Sequence, residues 1–143
     1  MDLSKVLSIS GKQGLFKVIS QTKTGALVES FIDKKRMPVF ATEKMSLLSE
    51  ISIFTTSDDV PLKEVFKAIY LKENGGKCID PKSSNENLKK YMEEVLPEYD
   101  KERVYVSDMK KLFSWYNLLI EHNYLNFDDE KDEVKKEDTT DNV

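Results

Sequence analysis

An α+β fold is what this sequence predicts: a small SH3-like antiparallel β-barrel over residues 1–56, a three-helix unit over 57–127 and a disordered acidic tail over 128–143. Three observations carry the prediction. Apolar residues come first in short β-branched and aromatic runs separated by polar turns; from residue 57 the hydrophobic period lengthens from two to 3.6; and beyond residue 127 apolar residues almost vanish. A chain of 143 residues is near the modal size of one domain, so two units this small must lean on each other.

The strands come in order. Val6-Leu7-Ser8-Ile9 is a possible first strand. Leu15-Phe16-Lys17-Val18-Ile19 follows Gly14 and ends in the polar turn Ser20 to Gly25, and Ala26 to Ile32 returns as its hairpin partner. Asp33-Lys34-Lys35-Arg36 is a charged turn. In Met37-Pro38-Val39-Phe40-Ala41 the proline has no N–H for a ladder, which places that run at an edge or a strand start. Glu43 to Glu50 reads as one helical turn, and Ile51-Ser52-Ile53-Phe54-Thr55 as the final strand. Short strands, a single helical turn and a last strand suit a curled barrel of the SH3-like or Tudor-like kind, in which closure removes exposed edges.

Three helices follow. Leu62, Val65, Phe66, Ile69 and Tyr70 line one helical face, with Asp58 or Asp59 as cap, Pro61 near the first turn and Asn74-Gly75-Gly76 as the stop. Leu88, Tyr91, Met92, Val95 and Leu96 repeat the stripe until Pro97. Ser107 is the expected cap of a third helix carrying Met109, Leu112, Phe113, Tyr116, Leu119, Ile120 and Tyr124. Trp115 and Leu118 lie off that stripe, so this helix should touch two neighbours, the second being the barrel. The stretch 128–143 has two apolar residues, both Val, too few to offset an ordering cost of roughly 1–2 kcal/mol per residue.

Charge divides unevenly. Residues 1–56 carry eight Lys and Arg against five Asp and Glu, 57–127 eleven against thirteen, and 128–143 three against eight, which gives +3, −2 and −5 and recovers the net −4. Attraction for polyanions therefore belongs to the N-terminal unit. The acidic tail could screen a basic patch in cis or serve solubility.

One His and one Cys exclude a His-rich or Cys-rich metal site within a single chain and any intramolecular disulfide. Cys78 has no His near it in sequence to activate it, and His122 lies where a cation complements a helix C-terminus. Ser10-Gly11-Lys12-Gln13-Gly14 lacks phosphate-loop spacing and precedes a strand, so it reads as a turn; Gly75-Gly76-Lys77 fails the same test. No carboxylate pair sits in an obviously apolar setting. No catalytic residue, cofactor or metal is expected, and no stretch is long and apolar enough to span a bilayer or to act as a secretory signal, which predicts a cytoplasmic protein.

What remains is binding. Lys12, Lys17, Lys34, Lys35 and Arg36, interleaved with Phe16, Phe31, Phe40 and Phe54, are candidates for RNA or single-stranded nucleic acid, because small barrels offer basic faces with aromatics on which bases stack. The alternative is a protein–protein adaptor or homodimer using Trp115 and Leu118 of the third helix.

Ile9 to Lys17, Ile51 to Thr55 and Val60-Pro61-Leu62-Lys63-Glu64-Val65-Phe66 together resemble a family of Bacteroidetes proteins defined as a domain of unknown function, over roughly residues 1–125. The resemblance implies a bacterial cytoplasmic protein with an N-terminal SH3-like unit and a C-terminal helical unit. It supplies no activity and no binding residues.

Overall fold

The computed structural model describes residues 3–12, 14–40, 42 and 44–125. The acidic segment 128–143, expected to be disordered, lies outside the described residues.

Among the described residues, seven strands and three α-helices form an α+β fold. β1 (Val6–Ile9), β2 (Phe16–Thr22), β3 (Gly25–Ser30), β4 (Arg36–Phe40) and β5 (Met45–Leu47) make one antiparallel sheet in the order β4-β3-β2-β1-β5. The expected hairpin is β2–β3, closed by Thr22↔Gly25 and interrupted between Val18 and Ser20 by a bulge. The extra residue there, Ile19, is turned outward. Pro38 is on β4, an edge strand, where its missing N–H deprives no further partner.

Two readings at the end of this unit are corrected. The run 43–50, expected as a helical turn, contributes β5 and only then a 3-10 turn over Leu48–Glu50. Residues 51–55, expected as the closing strand, instead supply β6 (Ser52–Ile53), which pairs with β7 (Val60–Pro61) in a separate two-stranded ribbon. The place beside β1 is taken by β5, through Leu7↔Leu47, Ser8↔Ser46 and Ile9↔Met45. Among the described residues no ladder joins β4 to β5, so the hydrogen bonding is that of an open five-stranded sheet and not of a closed barrel.

The helices are α1 (Leu62–Lys72), α2 (Asn85–Val95) and α3 (Val106–Glu121). Neither Asp58 nor Asp59 caps α1. The Leu62 N–H donates to the Ile51 carbonyl at 2.9 Å, so the β6–β7 ribbon satisfies a terminal donor that a side chain would otherwise take. Asn74 at φ +53° and Gly75 at φ +83° end the helix in left-handed backbone. Ser84 caps α2, its hydroxyl accepting from the Asn87 N–H at 3.2 Å. Ser107 lies inside α3; the boundary is at Tyr105, whose N–H donates to the Asp108 carboxylate at 3.0 Å.

Each face of the sheet carries buried apolar residues. Leu7, Ile9, Phe16, Val28 and Val39 form a small cluster of their own on one side. On the other, Val6, Leu15, Phe31 and Leu48 join the three helical stripes, including Leu62, Phe66, Leu88, Met92, Phe113 and Tyr116, in one larger core. Each such apolar side chain contributes about 1.5–3 kcal/mol. Sheet and helices therefore share a core.

A polar staple fixes α3 to the α1–α2 connection. The Tyr116 hydroxyl donates to the Gly76 carbonyl at 2.8 Å, the Cys78 N–H donates to Asn117 Oδ1 at 2.8 Å, and the Tyr91 hydroxyl donates to the Glu73 carboxylate. Among the described residues no helix is long and apolar enough to cross a membrane.

Candidate nucleic-acid interface

The turn between β1 and β2 makes one wall of a broad groove. Lys12 N–H donates to the Ile9 carbonyl at 3.0 Å across Ser10 and Gly11, and Gly11 at φ +83° is the glycine that the third place of a type II turn requires. Gly14 follows at φ +84°. A Cβ there would come within 2.5 Å of Ile32 Cδ1 and 3.7 Å of Leu118 Cδ2, so this backbone lies directly against β3's exit and α3.

The opposite wall is α3. Lys110, Lys111, Ser114 and Trp115 share one helical face by their spacing of four, and with Lys12, Lys82 and the turn they line a groove of about 490 Å³. Four lysines from three separate segments thus face one space, and no carboxylate lines it. Among the described residues none of the four is ion-paired. Unpaired like charges brought together raise the local potential and attract anions.

Two further hollows adjoin. Lys12 also borders a hollow of about 440 Å³ with Lys35, Arg36 and Asp33, while Lys111 and Trp115 also border a mostly apolar cavity of about 180 Å³ with Arg103 and Phe54. Lys12 therefore continues the cationic track towards Lys35 and Arg36, and Lys111 joins the groove to the apolar cavity.

Of the five predicted basic residues, Lys12, Lys35 and Arg36 lie on this track, and Lys17 and Lys34 do not line it. Lys17 is exposed on β2 opposite Glu29. Lys34, at φ +63°, holds its ammonium 5.7 Å from the Phe31 ring centre. Arg36 is paired with Glu29 at 3.2 Å, and the Asp33 carboxylate is occupied by the Lys35 N–H at 3.0 Å. Of the four predicted stacking aromatics, Phe16 and Phe31 are each 5% exposed and belong to the core, whereas Phe40 and Phe54 are 54% and 40% exposed. The alternation of β2 turns Phe16 inward, and Phe31 packs edge-on against Tyr124.

Lys82, Lys110 and Lys111 are functional candidates that the sequence reading missed. For Lys110 and Lys111 the signal was the doublet itself, one turn before Trp115 on the face already marked by its departure from the apolar stripe; Lys82 is brought there only by the fold. Trp115 and Leu118 themselves are half-buried against the large core, as expected for a helix with a second neighbour. Trp115 borders the β1–β2 turn and Leu118 approaches Gly14.

Burial pushes the Cys78 thiol up to about 12, and its sulfur donates to the Ile79 and Phe113 carbonyls at 3.5 and 3.6 Å. His122 ends α3 with its ring 5.9 Å from that of Phe31. Asp80 and Glu121 border another hollow, but Glu121 is paired with Lys77 and Asp80 accepts the Lys82 N–H at 2.8 Å. Among the described residues no group of three or more His, Cys, Asp or Glu could hold a metal ion.

Comparison with known proteins places the same architecture elsewhere. Residues 3–48 match one domain of unknown function (DUF5606) and residues 51–119 a second (DUF6852). A protein from Bacteroides vulgatus, a structural-genomics target solved by solution NMR, is 43% identical with a TM-score of 0.72, over 88% of this chain and 91% of that one. The chain belongs to that protein's family. Within the family pattern the two matched domains meet between residues 48 and 51, where the 3-10 turn hands over to the β6–β7 ribbon. No curated protein matches.

Proposed function

We propose that this family member is a non-enzymatic binding module for RNA or single-stranded nucleic acid, in a bacterial cytoplasm. The observation that carries the reading is the groove of Lys12, Lys82, Lys110 and Lys111 beside Trp115, with its four ammonium groups unpaired among the described residues. A single strand needs a cationic path for its backbone and an aromatic face for its bases, and this groove provides both. The predicted contribution of Lys35 and Arg36 is retained as an extension of the track through Lys12. The reading includes an SH3-like curl of the sheet. Phe40 and Met45 are five residue steps apart, a reach of roughly 17 Å, while four flat inter-strand spacings would separate the two edges by roughly 19 Å. Curvature relieves that mismatch.

The test is titration of a labelled mixed-sequence single strand at low and at moderate salt. Binding at low salt that weakens as salt rises, and that is lost in the Lys110→Glu/Lys111→Glu variant, is expected. No binding at low salt, or binding indifferent to that double change, overturns the reading.

The adaptor or homodimer reading through Trp115 and Leu118 has less support, because both side chains already pack within the chain. Light scattering at micromolar concentration tests it: a dimer abolished by Leu118→Glu would move the assignment there.

A further inference from the structure

The small cavity next to the groove differs from it in kind. About 180 Å³ in volume, it is floored by Leu62, Val104 and Leu112 and flanked by Phe54 and Trp115. Its charged groups are of both signs. Arg103 is matched by Asp100, Nε to Oδ2 at 2.8 Å, and Lys111 faces the same space as Asp108. A phosphate gains little there, whereas the groove outside is lined by lysines alone among its charged residues.

We propose that this cavity receives a single nucleobase from a strand whose phosphates lie in the groove. The inference rests on the nucleic-acid reading of the groove and names how the strand is gripped. Three features point to a flat, neutral, polar-edged ring. An apolar cavity of about 150 Å³ is enough for benzene, so the space suits one base and excludes a stacked pair. Arg103 lies over the Phe54 ring, its guanidinium carbon 4.4 Å from the ring centre, and its Nη2 donates to the Thr55 carbonyl at 3.3 Å, which holds a delocalised cation and an aromatic ring together at the border. Asp108 Oδ2 accepts the Tyr105 N–H, leaving Oδ1 as an acceptor for a base amino group. Trp115 and Lys111 border both spaces, so one nucleotide can place its phosphate at Lys111 and its base beyond the indole. Phe54, half-exposed at the border, is then the stacking residue of the four first suspected that has a site to serve.

Trp115 is the only tryptophan in the chain, which makes its emission a reporter of this cavity. The full chain is titrated with a short single strand, with an oligomer of the same length carrying the same phosphodiester backbone but no bases, and with a nucleoside alone. The base-bearing strand should bind at least about 10-fold more tightly than the abasic one and quench Trp115. The nucleoside alone should quench at millimolar concentration. Ser52→Phe, which fills the cavity from a surface position of β6, should bring the two oligomers to within about twofold. Equal binding of the two oligomers to the unaltered chain, with no nucleoside quenching, overturns the cavity inference and leaves the groove standing. Failure of both oligomers with nucleoside quenching retained overturns the groove and leaves the cavity.

Discussion

The charged turn at 33–36 and the lysine groove carry similar numbers of cations and treat them differently. In the turn, Arg36 is ion-paired with Glu29 across the β3–β4 ladder, Lys34 lies over the Phe31 ring and the Asp33 carboxylate accepts the main-chain N–H of Lys35. In the groove, Lys12, Lys82 and the Lys110–Lys111 doublet come from three distant stretches, and none is ion-paired among the described residues. Charge dense in sequence is partly engaged by its immediate neighbours, through one ion pair and one cation–π contact. Charge assembled by tertiary structure stays available, because the elements that carry it are held by the core and not by the charges themselves.

The largest expected effect is on that difference. Lys110→Glu/Lys111→Glu should weaken binding of a mixed-sequence single strand on the order of 100-fold at low salt, since two phosphate contacts are lost and two repulsions gained. The slope of log affinity against log salt should fall by about 1.4. Both residues are exposed on α3, so the thermal midpoint should hardly move. Calorimetry beside the binding titration separates the two outcomes, and an unfolded variant would disqualify the comparison.

Next comes the backbone that places the turn against α3. Gly14→Ala combines a left-handed φ, which costs an alanine roughly 1–2 kcal/mol, with a Cβ 2.5 Å from Ile32 Cδ1. Gly11→Ala has the same sign of φ and open space around the added carbon. Gly14→Ala should therefore lower stability more than Gly11→Ala and also weaken strand binding, by shifting Lys12 relative to α3. Chemical denaturation of the pair measures the first, and equal midpoints would show that the Ile32 side chain yields to the added carbon at no cost.

Alkaline pH tests the anchoring of α3 itself. Burial raises the ionisation of Cys78 to about 12 and lifts Tyr91 and Tyr116 above their ordinary value, Tyr91 further through Glu73. A folded-state pKa above the unfolded one means that the unfolded chain releases its protons first. Stability is then full below the unfolded values near 9 for the thiol and 10 for the phenols, and falls as pH rises towards 12. Denaturation midpoints between pH 8 and 11 should decline, and less steeply for Tyr91→Phe. A flat profile would mean that these groups are not buried in solution.

Much of this was legible in the sequence, and the gaps have physical causes. The helical stripes were readable because a 3.6 period reports burial directly, and Phe66, Met92 and Phe113 lie where the spacing put them. The β2–β3 hairpin and the edge position of Pro38 followed from turn chemistry and a missing N–H. The last strand was misassigned because Met45-Ser46-Leu47 and Ile51-Ser52-Ile53 are both apolar–polar–apolar triplets; which one pairs with β1 depends on the fold and not on propensity. The groove was half-legible. Trp115 announced a second neighbour for α3, but only the folded chain brings Lys12 and Lys82 to Lys110 and Lys111.

The smallest expected effect is the most diagnostic of the comparison between turn and groove. Lys34→Glu/Lys35→Glu reverses as many charges as the α3 double variant and acts on residues the sequence ranks higher. Lys34 lies outside the track, and Lys35 lines only the hollow that Lys12 connects to the groove, so the change should alter affinity by about threefold or less at low salt. It should also disappear sooner as salt rises, because exposed charges more than about 8–10 Å from the strand are screened. If instead this pair equals or exceeds Lys110→Glu/Lys111→Glu, the strand runs over the β3–β4 edge, the base-rich turn is the site, and the unpaired lysines beside α3 serve only the electrostatic approach of the ligand.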